Sequence, residues 1–253
     1  MENPGEFANR PHMHEDAYQF TFPLSGICRF NHENRSYHLE EGQGLVQHPR
    51  ELHEFGLGDR DEVMIIQVKK DRFVEWNGRG AMDFALTQSF DAKKAVMHFR
   101  RWSQALFALE PADRLAVEQT ECDIVAYLLE TLQGGGRAQT VASRRPFVKD
   151  SHIARAVEYI HEHYTSDIDL DTMATIALQS RFHFVRSFKA AVGMTPYQYV
   201  LQLRIEEAKR LLTHTDMTVT EISFRLGFSS TSQFYRQFSR SAGVTPERYR
   251  KGR

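Results

Sequence analysis

The sequence predicts an α+β protein, with a β-rich N-terminal part, a helical middle region and an all-α C-terminal domain. Three observations support this class. Short β-branched and aromatic runs fill the first part of the chain, helical periodicity replaces them after about residue 81, and the last third contains an internal repeat. With 253 residues, the chain is long enough for two domains that each bury a core.

Five runs predict the strands of a small sandwich or barrel. They are Tyr18–Phe22, Ile27–Phe30, Ser36–Leu39, Leu45–Gln47 and Val63–Val68. Pro, Gly, Asn and Asp residues separate the runs, as is typical of turns. We expect this first domain to occupy residues 1–80.

Two helices are predicted next, over Phe84–Leu109 and Ala112–Leu132, with Pro111 at the start of the second, where a helix tolerates proline. The second helix carries an apolar stripe of Leu115, Cys122, Val125, Leu129 and Leu132. After this helical region (residues 81–133), the three glycines 134–136 lose too much backbone entropy to continue a helix. Residues 134–148 are therefore the predicted linker to a C-terminal domain over residues 149–253.

Composition argues against a small disulfide-rich secreted protein and against a membrane protein. The two cysteines are too few for a disulfide framework, which favours a reducing, cytoplasmic location. No apolar run approaches the ~20 residues that span a bilayer, and the acidic start of the chain is unlike a signal peptide.

Charge is distributed unevenly along the chain. Residues 172–253 contain 13 Lys and Arg against 5 Asp and Glu, which leaves 19 Lys and Arg against 28 Asp and Glu for the rest. This split favours a polyanion as partner of the C-terminal part, with chance clustering as the alternative.

An internal repeat occupies the last third of the chain. Residues 180–199 and 230–249 share eight identical residues at an offset of 50 positions. The identical pairs are Ser180/Ser230, Phe184/Phe234, Arg186/Arg236, Phe188/Phe238, Gly193/Gly243, Thr195/Thr245, Pro196/Pro246 and Tyr199/Tyr249.

The repeat predicts two helix-turn-helix units. In the second copy, Thr218 and Glu221 suit a capping box, Gly227 ends one helix and Ser230 begins the next. The core-facing residues of the second helix are Phe234 and Phe238, and the outward-facing residues are Thr231, Ser232, Gln233, Tyr235, Arg236 and Arg240. A long helix over Tyr197–Thr213 could hold the two recognition helices about one DNA turn, ~34 Å, apart.

These motifs resemble those of the AraC/XylS transcription regulators. The matching residues are Gly193-Met194-Thr195-Pro196-x-x-Tyr199, then Arg204, Ala208 and Leu211-Leu212, and finally Glu221-Ile222, Gly227-Phe228-Ser229-Ser230, Phe234, Phe238 and Gly243-Val244-Thr245-Pro246-x-x-Tyr249-Arg250. The resemblance covers roughly residues 150–253. It implies that each unit places its second helix in the major groove of promoter DNA, and that the protein is an activator with RNA polymerase as a partner.

The resemblance also implies which residues contact DNA. They are Phe182, Val185 and Arg186 in the first unit, and Thr231, Ser232, Gln233, Arg236 and Arg240 in the second. An arginine can form two hydrogen bonds with guanine, and a glutamine can do so with adenine. For each residue the alternative is a phosphate contact or a side chain that is exposed to solvent without contacting DNA. One departure lies in the first turn, where Leu178-Gln179 replaces the family's glycine. Either this turn avoids a positive φ or the first unit differs in shape.

The first strands resemble the cupin-like effector domain that often precedes this module. The matching residues are His12, His14, Gln19, Gly26, Gly44, Pro49 and His53. His12 and His14 share a strand face, as metal ligands would, but metal-binding cupins have Glu where Gln19 stands, so we predict no metal and no cofactor. The candidate effector-binding residues are His12, His14, Tyr18, Phe20, His38 and His53, with Phe22 and His48 as further lining.

The sequence therefore predicts a cytoplasmic transcription regulator with a cupin-like β-barrel that senses a small molecule. The resemblance implies that the striped helix pairs two subunits into a homodimer, whereas packing against the barrel is the simpler reading of the stripe. No arrangement of nucleophile and base stands out, so no enzymatic activity is predicted. Two alternatives stay open: a DNA-binding protein whose barrel only dimerises, and a metal-dependent cupin enzyme.

Overall fold

The computed structural model describes residues 7–77, 83–107, 113–132 and 150–252. The chain divides into two compact units. The N-terminal unit comprises residues 1–102 and 124–142, and the C-terminal unit comprises residues 103–123 and 143–253. The mixed α+β class is confirmed. Pro111 and the predicted linker, residues 134–148, lie outside the described residues.

The β-rich N-terminal unit contains two four-stranded antiparallel sheets. Its strands are β1 (Phe7–Ala8), β2 (Ala17–Ser25), β3 (Ile27–His32), β4 (Arg35–Glu40), β5 (Gln43–Gln47), β6 (His53–Leu57), β7 (Glu62–Lys69) and β8 (Thr87–Ser89). One sheet has the order β1-β6-β3-β4 and the other the order β7-β2-β5-β8. All five predicted strands are confirmed, whereas β1, β6 and β8 were not predicted.

The two sheets bury their apolar residues together. In β3, Cys28 and Phe30 are buried while Arg29 between them is exposed, which is the alternation of a sheet with one buried face. Leu45 of the other sheet belongs to the same apolar cluster. Within the described ranges, no strand pairing joins the two sheets, so the predicted closed, cupin-like barrel is not confirmed.

Three helices follow β7: α1 (Lys70–Asn77), α2 (Ala92–Phe107) and α3 (Arg114–Thr131). The helix predicted to begin at Phe84 begins only at Ala92, because Thr87–Ser89 pairs with β5 as β8. The Asp91 carboxylate accepts a hydrogen bond from Lys94 N, an interaction that favours a helix start at this point.

Helix α3 contributes to both units, since the C-terminal unit includes it up to Asp123 and the N-terminal unit includes it from Ile124. Leu115 and Cys122 of the predicted stripe belong to an apolar cluster of the C-terminal unit, and Val125 is fully buried. Leu129 and Leu132, the remaining stripe residues, are only partly buried. A dimerisation region is not confirmed.

The described C-terminal domain contains seven helices. They are α4 (Asp150–His163), α5 (Leu170–Ile176), α6 (Arg181–Val192), α7 (Pro196–His214), α8 (Val219–Arg225), α9 (Thr231–Ala242) and α10 (Pro246–Lys251). The predicted long helix is α7. One apolar cluster includes Phe184 and Phe188, and a second includes Phe234 and Phe238. Among the described residues, no helix has the length and apolar character needed to cross a bilayer.

Candidate nucleic-acid interface and histidine cluster

Two helix-turn-helix units, α5–α6 and α8–α9, repeat the same helix ends. Ser180 and Ser230 are the N-caps of α6 and α9, and each side chain accepts a hydrogen bond from the backbone N–H three residues on. Gly193 and Gly243 end these helices with φ of 86° and 73°. Both glycines adopt the left-handed conformation that L side chains disfavour, which explains why the repeat keeps glycine there.

Threonines cap three further helices of the C-terminal domain, and the predicted capping box of α8 is confirmed. Thr218 and Glu221 form the capping box of α8. The backbone N–H and hydroxyl of Thr218 donate to the Glu221 carboxylate and lower its pKa. Thr195 and Thr245 cap α7 and α10, each followed by a proline at the first helical position.

Arg186 is the exposed predicted DNA-contacting residue of α6. Its guanidinium lies 5.5 Å from the centre of the Phe182 ring, a cation–π contact that restricts the arginine. Phe182 and Val185 are each only 7% exposed, so both are largely core residues here. His183 and Lys189 are exposed on the same helix.

Helix α9 exposes Ser232, Arg236 and Arg240, and partly exposes Thr231. Gln233 is different: it is 3% exposed, so the prediction that it faces outward is wrong. Its side-chain oxygen accepts hydrogen bonds from the Ser229 backbone N–H (3.0 Å) and hydroxyl (2.9 Å). The preceding turn needs an acceptor for that N–H, and Gln233 folds back to supply it.

The Asp113 carboxylate also engages Gln233 within the C-terminal unit. It accepts hydrogen bonds from the Gln233 side-chain amide and, at 3.2 Å, from the Tyr197 hydroxyl. Burial and the adjacent Asp113 charge raise the pKa of Tyr197, so its hydroxyl stays protonated as a donor. Asp113 also caps α3 by accepting from Ala116 N. The sequence offered no signal for this contact, since Asp113 and Gln233 are 120 residues apart.

The first residues of α3 also hold the start of α5. The Glu118 carboxylate accepts from the Leu170 backbone N–H at 2.8 Å. Arg114 lies 3.3 Å from the Asp169 carboxylate, and Asp169 is the N-cap of α5. The segment Asp113–Asp123 is therefore bonded to both helix-turn-helix units.

Arg204 connects the two halves of the C-terminal unit from the middle of α7. Its guanidinium donates to the backbone oxygens of Tyr164 (2.6 Å), Ser166 (2.9 Å) and Gly227 (2.7 Å). Because Arg204 is buried, desolvation lowers its pKa. The sequence pattern includes this arginine only as part of the family motif, and the structure shows its role in packing.

Three of the predicted effector-binding histidines converge in the N-terminal unit. The ring centres of His12, His14 and His53 are separated by 5.1, 4.4 and 5.2 Å. Each ring offers a nitrogen that lies within 4.8 Å of the other two. Burial lowers the pKa of His53, which keeps this ring neutral. His53 joins the pair through β6, the strand that the sequence did not predict.

The other effector candidates lie elsewhere. Tyr18 and Phe20 are buried in an aromatic core with Phe73 and Phe84. His38 is exposed on β4 and lines an open cavity of about 300 Å³. The six predicted residues therefore do not form a single site.

Two family models match the chain: a helix-turn-helix domain over residues 173–252 and an AraC-like ligand binding domain over residues 3–69. The chain is 28% identical over 242 residues to the uncharacterized HTH-type transcriptional regulator YobQ of Bacillus subtilis, covering 94% of this chain and 88% of that protein. It is 37% identical over 93 residues to the MmsAB operon regulatory protein of Pseudomonas aeruginosa, covering 37% of this chain and 30% of that protein.

Among solved structures, the chain is similar to the DNA-binding domain of AdpA in complex with a target DNA. The identity is 34%, the match covers 40% of this chain and 91% of that one, and the TM-score is 0.39.

The paired helix-turn-helix units and the family matches define a DNA-binding transcription regulator with an N-terminal ligand-binding domain. The chain belongs to the AraC family of these regulators.

Proposed function

We propose that this regulator binds promoter DNA through α6 and α9 and activates transcription with RNA polymerase when its N-terminal domain binds a small-molecule effector. The observation that carries the DNA-binding half is the exposed arginine at the same position of both repeats, Arg186 and Arg236. Each arginine lies six residues after the N-capping serine of its helix, so α6 and α9 carry an arginine at the same helical position. Arginine binds the O6 and N7 of guanine bidentately.

The N-terminal unit supports the effector half of the proposal through its covalent connection to the DNA-binding helices. Helix α3 runs without a break from residues of the C-terminal unit into residues of the N-terminal unit. A ligand that binds one conformation of the N-terminal unit better shifts the equilibrium toward it by that difference in affinity.

DNA binding is tested by footprinting the upstream region of the protein's own gene, followed by titration of the protected sequence with purified variants. Arg186→Ala and Arg236→Ala are each expected to cost about 1–3 kcal/mol and to relax preference at one base pair. Arg210→Ala is the matched control, because Arg210 is exposed on α7 and pairs with Glu207. Equal weakening on all sequences would instead make the arginine a phosphate contact.

Effector binding is tested by thermal unfolding of the full-length protein against a panel of small metabolites. A true ligand raises the melting temperature further as its free concentration increases, and it changes the affinity for the footprinted DNA. No response across the panel, with DNA binding intact, would favour a ligand-independent DNA-binding protein.

We further propose that the active form is a homodimer in the cytoplasm. Two chains would present four recognition helices, and the resulting multivalency raises operator affinity without new contacts. Light scattering of the purified protein measures its mass directly, and a monomeric mass in the presence of operator DNA would contradict the dimer.

A further inference from the structure

The cluster of His12, His14 and His53 lies outside the DNA interface, and the proposed binding of DNA does not use it. Backbone hydrogen bonds hold two of its members in place. His12 N donates to His53 O and His53 N donates to His12 O, both at 2.9 Å. His14 follows two residues after His12, so the extended chain directs both rings to the same side.

Two of these rings have a defined tautomer. A backbone oxygen only accepts hydrogen bonds, so the ring nitrogens that face one must carry the proton. His12 Nδ1 lies 2.9 Å from Arg10 O, and His53 Nδ1 lies 3.0 Å from Glu51 O. In the neutral form of each ring this leaves the lone pair on Nε2, the arrangement in which an imidazole binds a metal.

The buried His53 Nε2 has no hydrogen-bond partner among the described residues. His53 is only 2% exposed, and an unsatisfied buried polar atom is costly. The nearest ring is His12, whose centre lies 4.4 Å away. A cation shared by the lone pairs would satisfy this atom.

We propose that His12, His14 and His53 form a binding site for one divalent first-row transition-metal ion, with Zn²⁺ as the first candidate. Imidazole nitrogen is a preferred ligand of these ions, whereas Ca²⁺ and Mg²⁺ prefer oxygen. Nitrogens bound to tetrahedral Zn²⁺ are about 3.4 Å apart, given Zn–N distances of ~2.0–2.1 Å. The ligand nitrogens lie within 4.8 Å of one another, so this spacing requires the partly exposed His12 and His14 rings to rotate toward His53.

Gln19 stands where metal-binding cupins have a glutamate, and for that reason the sequence predicts no metal. In the structure Gln19 has another role. Its side-chain oxygen lies 3.0 Å from His14 Nε2 and accepts a hydrogen bond from the Gln67 amide nitrogen at 3.0 Å. The Gln67 amide nitrogen itself lies 3.1 Å from His14 Nε2. Gln19 and Gln67 thus orient the His14 ring through its Nε2, and when Nε2–H donates to Gln19 the lone pair of His14 lies on Nδ1. Three neutral imidazoles leave the full charge of the ion uncompensated and a fourth position open to water or to a donor atom of a small molecule.

The test uses full-length, untagged protein that has been treated with EDTA and desalted. Co²⁺ is the probe, because its visible absorption reports four-coordinate binding. We expect one Co²⁺ per chain and displacement of the Co²⁺ by Zn²⁺. Absence of saturable Co²⁺ and Zn²⁺ binding by the folded protein would overturn the proposal.

Variants assign the site to these residues. His14→Gln and His53→Gln are each expected to weaken Co²⁺ binding at least ~10-fold, since even changes around a ligand cost ~10–100-fold. His214→Gln, at an exposed histidine of α7, is the control and should bind Co²⁺ as the wild type does. His14 is half-exposed, so His14→Gln tests the site even if His53→Gln fails to fold. Unchanged Co²⁺ binding by His14→Gln would overturn the three-histidine site.

Discussion

Leu178 and Gly227 occupy corresponding turns of the two helix-turn-helix units, and both have left-handed backbones, with φ of 53° and 75°. The first turn therefore keeps the shape of the second although a leucine replaces the glycine. The Leu178 side chain is 73% exposed, so it gains little from burial. The left-handed region costs a non-glycine residue about 1–2 kcal/mol, and this strain is intrinsic to the first unit.

Replacing Leu178 with glycine is expected to stabilise the protein by about 1 kcal/mol, because it removes the strain and almost no packing. The measurement is urea unfolding of the full-length chain, followed by circular dichroism. A lower midpoint for Leu178→Gly would contradict this account.

Gly227→Ala is expected to be destabilising by about 2 kcal/mol or more, since a Cβ there would lie 2.6 Å from Thr165 O. Gly193→Ala is the matched control: φ is 86°, but a Cβ would meet nothing within 4 Å. The Gly193→Ala variant therefore isolates the backbone strain. Equal losses in the free energy of unfolding for the two variants, measured in urea, would show that the close approach at Gly227 is unimportant.

Arg204→Met is expected to cost about 3 kcal/mol or more. The variant keeps much of the side-chain volume but leaves three backbone oxygens, those of Tyr164, Ser166 and Gly227, without their donor. Urea unfolding measures the loss. Arg210→Ala, at the same helix, should leave the midpoint nearly unchanged, because Arg210 is exposed. Similar effects of the two changes would exclude a special role for Arg204.

Asp113→Asn is expected to increase affinity for the footprinted DNA by up to about tenfold. Asparagine retains the oxygen that caps α3, but its amide nitrogen cannot accept from Gln233. The side-chain oxygen of Gln233 stays bonded to Ser229, whereas its amide N–H group loses its acceptor and becomes available to a base. Fluorescence anisotropy measures the affinity. The gain should vanish in the double variant with Gln233→Ala, and a gain that survives there would assign the effect to charge alone.

Neither cysteine is expected to react with a thiol reagent in the native protein at pH 8. Burial raises the pKa of Cys28 to about 11 and that of Cys122 to about 12. A raised pKa keeps the thiol protonated below it, and the thiolate is the reactive form. Both thiols should react in denaturant, and this sample controls for the activity of the reagent and for the number of free cysteines. Rapid modification of the native protein would contradict the burial of these residues.

Much of the DNA-binding region could be predicted because its signals are local. The helix start at Ser230, the capping box of Thr218 and Glu221, and the core positions Phe234 and Phe238 are confirmed. Gln233 was misplaced, because helical periodicity ignores a side chain that folds back onto the turn before it. In the N-terminal unit, β6 escaped prediction because Gly56 interrupts its apolar pattern, and His53 was thereby left without its strand.

The helix ends of the repeat follow from the local sequence, because caps and glycine turns act over three or four residues. The constant offset between the two copies is likewise visible in the sequence. Three contacts depend instead on the folded chain: Asp113 binds Gln233, Arg204 satisfies three distant carbonyls, and His53 meets His12 and His14. Those contacts join residues that are far apart in the chain, and packing alone brings them within bonding distance.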